Sequence, residues 1–301
     1  MIKMSAEGMN TKKITAVFIV NAISGGRDKT PVLEQIKKHL SDDIVYEIIH
    51  WNAPQQIDEI LKKVKTGNHD IVVAVGVDGT INKVASALVN TNKKLGIIPA
   101  GSGNGLARHL QIPLNVKVAI DVINKGKSIC IDSCNLNGVF FGCTSGVGFD
   151  AYIGKLFANS TTRGFFTYFK LILTEFIRYK SQDYKLFIDG KTINTKAFLI
   201  TVANASQYGN NAYIAPKADI QDGMMNVCIL KPFPLFSAIG LGRKIFNKTI
   251  DNSSYVETYT AKEVMIERNN SGPVHYDGEP HEMDKLLKYE IAPASLYVLI
   301  P

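Results

Sequence analysis

The sequence predicts an α/β domain followed by an antiparallel, β-sandwich-like domain, and three observations lead there. Up to about residue 126, short β-branched runs alternate with helical stretches. Beyond residue 127, strand-like runs follow one another, separated by Gly, Asn and Asp turns. A chain of 301 residues, 46% of them hydrophobic, is also longer than a single core usually serves. The expected division is 1–127 and 128–301.

In the first part, Ile14–Val20 reads as a strand, followed by the turn-rich stretch Asn21–Lys29. Thr30 offers an N-cap and Pro31 a first helical position for the helix Val32–Leu40. Ile44–His50 is a second strand and Gln55–Lys65 a helix closed by Gly67. Ile71–Val75 is a strand before the helix around Asn82–Val89, and Lys94–Ile98 a strand before a helix starting at Leu106. This alternation argues for a parallel sheet flanked by helices. In the second part, Cys130–Leu136, Val139–Thr144, Tyr184–Ile188, Lys196–Ala203, Asn226–Leu230, Glu263–Glu267 and Leu296–Leu299 are strand-like, interrupted by one long helix, Gly164–Tyr179.

Charge and composition narrow the class of protein. There are 34 Lys+Arg against 27 Asp+Glu, a net +7 spread without a polybasic tail. That is too diffuse for a dedicated nucleic-acid binder and suits anionic substrates or an anionic membrane surface. The N-terminal MIKMSAEGMNTKK lacks the apolar run of a signal peptide, and no stretch approaches the ~20 apolar residues of a membrane span. Cys130, Cys134, Cys143 and Cys228 form no CxxC pair and read as buried thiols, so a cytoplasmic protein is expected.

Three turns at the C-terminal ends of strands carry glycine: NAISGG (Asn21, Ser24, Gly25, Gly26), GVDGTIN (Gly76, Val77, Asp78, Gly79, Thr80, Asn82) and PAGSGNG (Gly101, Ser102, Asn104). Open α/β sheets bind ligands at that edge, and glycine together with helix N-termini admits phosphate. Each taken singly is also a plain βα turn; together they point to a phosphate cradle, though no Walker A motif is present. Asp78 beside such a cradle calls for Mg²⁺ or proton transfer, against its simpler use as a turn former. In YDGEPHE, Asp277 and Glu279 are two apart and share a face of an extended segment, and Asp277-Gly278 is also an ordinary turn. The six His residues have no metal-ligand spacing and read as surface or structural. The helix at 161–180 puts Phe165, Phe169, Ile172, Leu173 and Phe176 on one face and Thr167, Lys170, Thr174 and Arg178 on the other. It is compatible with a lipid interface or with core packing. Phe233, Leu235 and Phe236 beside Arg243 and Lys244 add to the first option.

GVDGTIN resembles the GGDGTxN motif of the diacylglycerol kinase catalytic-domain family, PAGSGNGLAR its P-x-G-[ST]-x-N-x-x-A loop, and NAISGG its N-P-x-S-G-G. The resemblance implies a phosphofructokinase- and NAD-kinase-like ATP-binding domain joined to a β-sandwich, with the last residues returning to the first domain. It implies ATP and Mg²⁺, and a diacylglycerol-like or sphingoid lipid as acceptor. It also implies Glu279 as proton acceptor with Asp78 as second choice, Asp277 beside them among the catalytic residues, and transient contact with the inner face of a membrane. The stretch from Asn204 to Leu230 is similar to a family segment holding a structural Mg²⁺, here Asp222 flanked by Asp219 and Met224, although Asp222-Gly223 is also a turn.

Two residues depart from the family pattern. Val77 replaces a glycine, raising the expectation of strain at positive φ and of crowding against phosphates. Lys83 replaces a Glu that would close a capping box with Thr80. Two alternatives stay open: an NAD-kinase-like enzyme on a soluble nucleotide, and a non-catalytic lipid-binding regulator. The oligomeric state, monomer or homodimer, is left open as well.

Overall fold

Residues 13–22, 28–160 and 165–301 are described in the structure, a computed structural model. The β-branched runs of the first part form the parallel strands β1 (Ile14–Asn21), β2 (Ile44–Trp51), β3 (Ile71–Gly76) and β4 (Lys94–Pro99), in spatial order β2-β1-β3-β4. A parallel sheet must be covered on both faces. On one face Ile60 and Val64 of α2 (Ile57–Thr66) and Ile81, Val84 and Leu88 of α3 (Asp78–Leu88) pack on Val17, Ile19, Val72 and Ala74. On the other, Ile36 of α1 (Thr30–His39) and Ile120 and Ile123 of α5 (Val116–Lys125) pack on Phe18, Val20, Val73 and Val75. The short α4 (Gly105–His109) follows the turn after β4.

The second part contains β5 (Ser128–Leu136), β6 (Val139–Phe141), β7 (Thr144–Gly148), α6 (Phe149–Ala158), α7 (Phe165–Phe176), β8 (Gln182–Ile188), β9 (Lys191–Ala197), β10 (Leu199–Ala203), β11 (Met225–Leu230), α8 (Ser237–Phe246), β12 (Val256–Ala261), β13 (Glu263–Arg268), β14 (Gly272–Tyr276), β15 (Glu279–Met283) and β16 (Leu286–Leu299). Six of these strands form an antiparallel sheet in the order β12-β11-β10-β7-β14-β15. The long β16 runs antiparallel to β13 and β5, then parallel to β4 at Tyr297–Lys94 and Val298–Leu95. The sheet begun by β1–β4 therefore continues through β16 into β13, β8 and β9. Its antiparallel half faces the six-stranded sheet across a core of Leu136, Phe141, Leu186, Ile200, Val227, Ile266, Val274 and Tyr289. That is the predicted sandwich, with one leaf continuous with the α/β sheet.

Local differences from the sequence reading have physical reasons. Thr30 is already helical and Lys29 takes the N-cap position; Asp28 Oδ1 accepts from the Thr30 backbone N–H (2.9 Å) and hydroxyl (2.8 Å) just before it. The run Lys196–Ala203 splits at Phe198, whose N–H leaves β9 for Leu230 O (2.7 Å). The helix expected over Gly164–Tyr179 is α7, and its apolar face divides in two. Ile172 and Phe176 turn inward with Tyr168 and Leu171, against Phe149 and Phe198. Phe169 and Leu173 instead lie outward, exposed. Phe165's side chain lies outside the described residues.

Candidate active site

β3 ends at Gly76 because Thr80 comes back over it: a Cβ on Gly76 would lie 2.6 Å from Thr80 Oγ1. Asn21, buried at the end of β1, donates from Nδ2 to the same Thr80 Oγ1 (2.9 Å). Val77 is the N-cap of α3 with φ −88° and ψ 176°, extended backbone that valine adopts freely. The strain expected at this position is therefore absent, and the Val77 side chain packs beside Gly101, where an added Cβ would come within 3.2 Å of it. α3 starts at Asp78, which puts Thr80 inside the first turn and Lys83 in the second, so the capping-box argument for Thr80 and residue 83 does not apply. Asp78 in the first turn suits the helix dipole.

The second glycine turn is organised by Asn104, in the left-handed conformation that asparagine tolerates (φ 52°, ψ 49°). Its Oδ1 accepts from Gly101 N (3.1 Å) and its Nδ2 donates to Gly101 O (2.8 Å). Asn104 N and Gly105 N donate to Asp78 Oδ2 and Oδ1, both at 2.8 Å, and Ala100 N donates to Gly76 O at 2.8 Å, so the two turns are one unit. Ser102 stands exposed at the tip. Burial pushes the Asp78 carboxyl up to about 6, against the two backbone N–H groups that favour its ionised form. Ser24, Gly25 and Gly26 of the third turn lie outside the described residues.

The hairpin of β14 and β15 brings the other two carboxylates to α3. Asp277 (φ 48°) and Gly278 (φ 83°) form its two-residue turn, with Tyr276 opposite Glu279. The Asp277 carboxylate accepts four hydrogen bonds: from Gly142 N (2.7 Å) and Asn82 Nδ2 (2.8 Å) on Oδ2, and from Cys143 N (2.7 Å) and Thr144 N (3.1 Å) on Oδ1. With every lone-pair direction taken, Asp277 holds the hairpin to α3 and to the β6–β7 connection. Glu279 lies directly on α3: a Cβ on Gly79 would fall on Glu279 Oε1. Burial raises the Glu279 carboxyl, Lys83 lowers it and Asp277 raises it.

Beneath the hairpin is a polar cluster that no spacing in the sequence announces. Asp150, at the start of α6, lies 3.0 Å by Oδ2 from His275 Nε2 and accepts from the Tyr208 hydroxyl (3.0 Å) and Thr201 Oγ1 (3.3 Å). Of the two readings of His275, surface or structural, it is the structural one that its burial and pairing match, and Tyr208 reaches from this cluster into the cleft lined by Asp78, Asn82, Thr144 and Asp277. The signal that could have found Asp150 is the GVGFD turn, a glycine-bearing strand-to-helix junction like the turns after β3 and β4.

The candidate metal residues are not in this cleft. Asp219 and Asp222 are exposed, each bonding its own turn: Asp219 Oδ1 accepts from Gln221 N and Asp222 Oδ1 from Met224 N, both 2.9 Å. Gly223 N donates instead to the buried Asp132 (2.7 Å). Among the described residues no group of three or more His, Cys, Asp or Glu is placed to hold a metal. No helix among them is long and apolar enough to cross a membrane.

Residues 15–136 match the diacylglycerol kinase catalytic domain and residues 144–300 the YegS C-terminal NAD kinase β-sandwich-like domain. A diacylglycerol kinase of Mycobacterium tuberculosis is 30% identical over 88% of this chain and 87% of its own length. A probable lipid kinase YegS-like of Yersinia pseudotuberculosis is 28% identical over 93% and 95%. The uncharacterized protein sll0036 of Synechocystis is 26% identical over 89% of this chain, which spans 66% of that protein's length. Among solved structures, a putative diacylglycerol kinase from Bacillus anthracis superposes with a TM-score of 0.77 at 19% identity, covering 96% of this chain and 97% of that one. An NAD kinase from Archaeoglobus fulgidus, in complex with ATP, gives 0.52 at 13%, covering 95% and 93%.

Proposed function

The chain belongs to the diacylglycerol kinase and YegS-like family of lipid kinases; from that premise we propose that it transfers the γ-phosphoryl group of ATP to a hydroxyl of a diacylglycerol-like or sphingoid lipid. The observation that carries this reading is the Glu279 carboxylate seated on Gly79, where α3 begins. A helix N-terminus beside glycine turns favours phosphate, so Glu279 stands where an acceptor hydroxyl must meet the γ-phosphoryl group. As the hydroxyl oxygen bonds to phosphorus, its proton passes to Glu279 and the bond from phosphorus to the bridging oxygen breaks, releasing ADP. Asp78, tied at both oxygens to the second turn, fixes the relative position of the two turns. Asn82 and Asp277 hold the base-bearing hairpin in register with them.

Mg²⁺ fits this site in donor chemistry: Asp78 offers a hard oxygen ligand, and a cation would relieve the cost of its buried charge. Bound there, it would neutralise phosphate charge. At the second location, the carboxylates of Asp219 and Asp222 and the main-chain carbonyl of Met224 are oxygen donors of the kind such ions take, and the Met224 thioether is not. Lipid access is supported by outward apolar side chains on and after α7 and around α8: Leu173 and Ile177, then Leu235, Phe236, Ile239 and Phe246. Arg178, Arg243 and Lys244 lie among them, a combination suited to transient contact with an anionic leaflet.

The test is transfer of radiolabelled phosphate from ATP, with and without Mg²⁺, to diacylglycerol, a sphingoid base and ceramide in vesicles, and to NAD in solution. Labelled lipid is the expected product. Labelled NADP would favour the nucleotide kinase reading. ATP and lipid binding with no transfer would favour a regulator.

A further inference from the structure

Lys83 stands one helical turn after Gly79, on the face of α3 that receives Glu279. Its ammonium acts on two groups of the hairpin, Glu279 and His281, lowering the carboxyl of the first and reinforcing the effect of burial on the second. His281 is stacked flat on Tyr276 at 4.2 Å, and its Nε2 is buried without a hydrogen-bond partner. Burial and Lys83 both hold its imidazole neutral, so it supplies no competing charge. Asp277 on the same hairpin, whose oxygens are saturated, raises the Glu279 carboxyl, and Asp78 adjoins Gly79 at the start of α3. Further along β15, Glu282 is paired with Lys155 of α6 at 2.6 Å. Among the described residues Lys83 forms no ion pair within 4.0 Å. This separation matters chemically. A contact ion pair would occupy the lone pairs with which Glu279 must accept a proton; a cation on the same helix face without such a contact favours the ionised carboxylate and leaves those lone pairs open.

We propose that Lys83, one turn along α3 from the seat of Glu279, is a positioning residue whose ammonium acts on the Glu279 carboxylate facing the acceptor hydroxyl above Gly79. The proposal rests on the lipid kinase reading, but its electrostatic core can be measured without turnover. In the full chain labelled with ¹³C at the Glu side-chain carboxyl, Glu279→Gln identifies the Glu279 resonance, and its titration midpoint is followed by NMR. Lys83→Met is expected to raise that midpoint by about one pH unit, while Lys83→Arg leaves it in place. Lys83→Gln serves as a second neutral variant should the methionine protein not fold. In lipid phosphorylation, the acid limb of the kcat profile is expected to move up with the NMR midpoint and to be restored by arginine. A midpoint that does not move in either neutral variant overturns the proposal. A moved midpoint with no lipid phosphorylated by the wild-type chain would overturn the kinase reading and leave only the coupling.

Discussion

Two Asp-Gly hairpin turns in this protein have nearly the same backbone and quite different surroundings. Asp189 (φ 43°) and Gly190 (φ 82°) join β8 to β9, and Asp277 (φ 48°) and Gly278 (φ 83°) join β14 to β15. Asp189 is exposed and accepts from the N–H groups of Lys262 and Glu263 at the end of one neighbouring strand. Asp277 draws its four donors from α3 and from the residues entering β7. The dipeptide thus determines only the turn. What makes one of them a candidate site is that its strands end against the glycine turn of the other half of the molecule, so the residue two positions on, Glu279, lands on a helix N-terminus.

This contrast can be broken deliberately. The largest effect is expected at Glu279: Glu279→Gln removes the base and Gly79→Ala displaces its carboxylate. Each should lower kcat about 10²–10⁴-fold while leaving the thermal unfolding transition within a few degrees. Full activity in both variants would remove Glu279 from proton acceptance. A middle effect is expected at the turns themselves. Asp277→Asn must aim an amide at N–H donors, costing about 1–3 kcal/mol in urea unfolding, whereas exposed Asp189→Asn should change stability by less than ~0.5 kcal/mol. Equal costs would mean that the long-range partners of Asp277 add nothing to the turn. A further effect is in pH dependence. Asp78 is held at about 6 when folded against an ordinary 3.8, so the folded state keeps the extra proton between those values. Its contribution to stability is full below about pH 4 and is lost as pH rises through about 6. Asp78→Asn should flatten that part of the stability profile, and an unchanged slope would show that Asp78 is not desolvated.

Those same residues show where sequence reasoning stops. The two glycine turns after β3 and β4 and the Asp277-Gly278 turn are legible because each rests on local backbone chemistry. The cluster of Asp150, Thr201, Tyr208 and His275 was not, since its members are brought together only by pairing of β7 with β10 and β14. The strain expected at Val77 is absent because its φ depends on where α3 starts, and helix boundaries are set by more than the local residue types. The helix α7 was recognised as amphipathic, but Ile172 and Phe176 face a core that only the packing of Phe149, Phe198 and Phe233 creates.

The strand β16 has a consequence for how the chain comes together. It follows every other strand in the sequence, yet it lies between β4 and β13 and also pairs with β5. During synthesis those three strands must therefore wait with open edges while the glycine turns and the hairpin are already made. Closure of this seam joins segments about 200 residues apart, as in the pairing of Tyr297 with Lys94, a long-range step that is expected to come late and slowly. The strand that joins the parallel sheet to the sandwich leaf of β13, β8 and β9 is thus also the one whose delay would leave the chain most open to pairing with a neighbour.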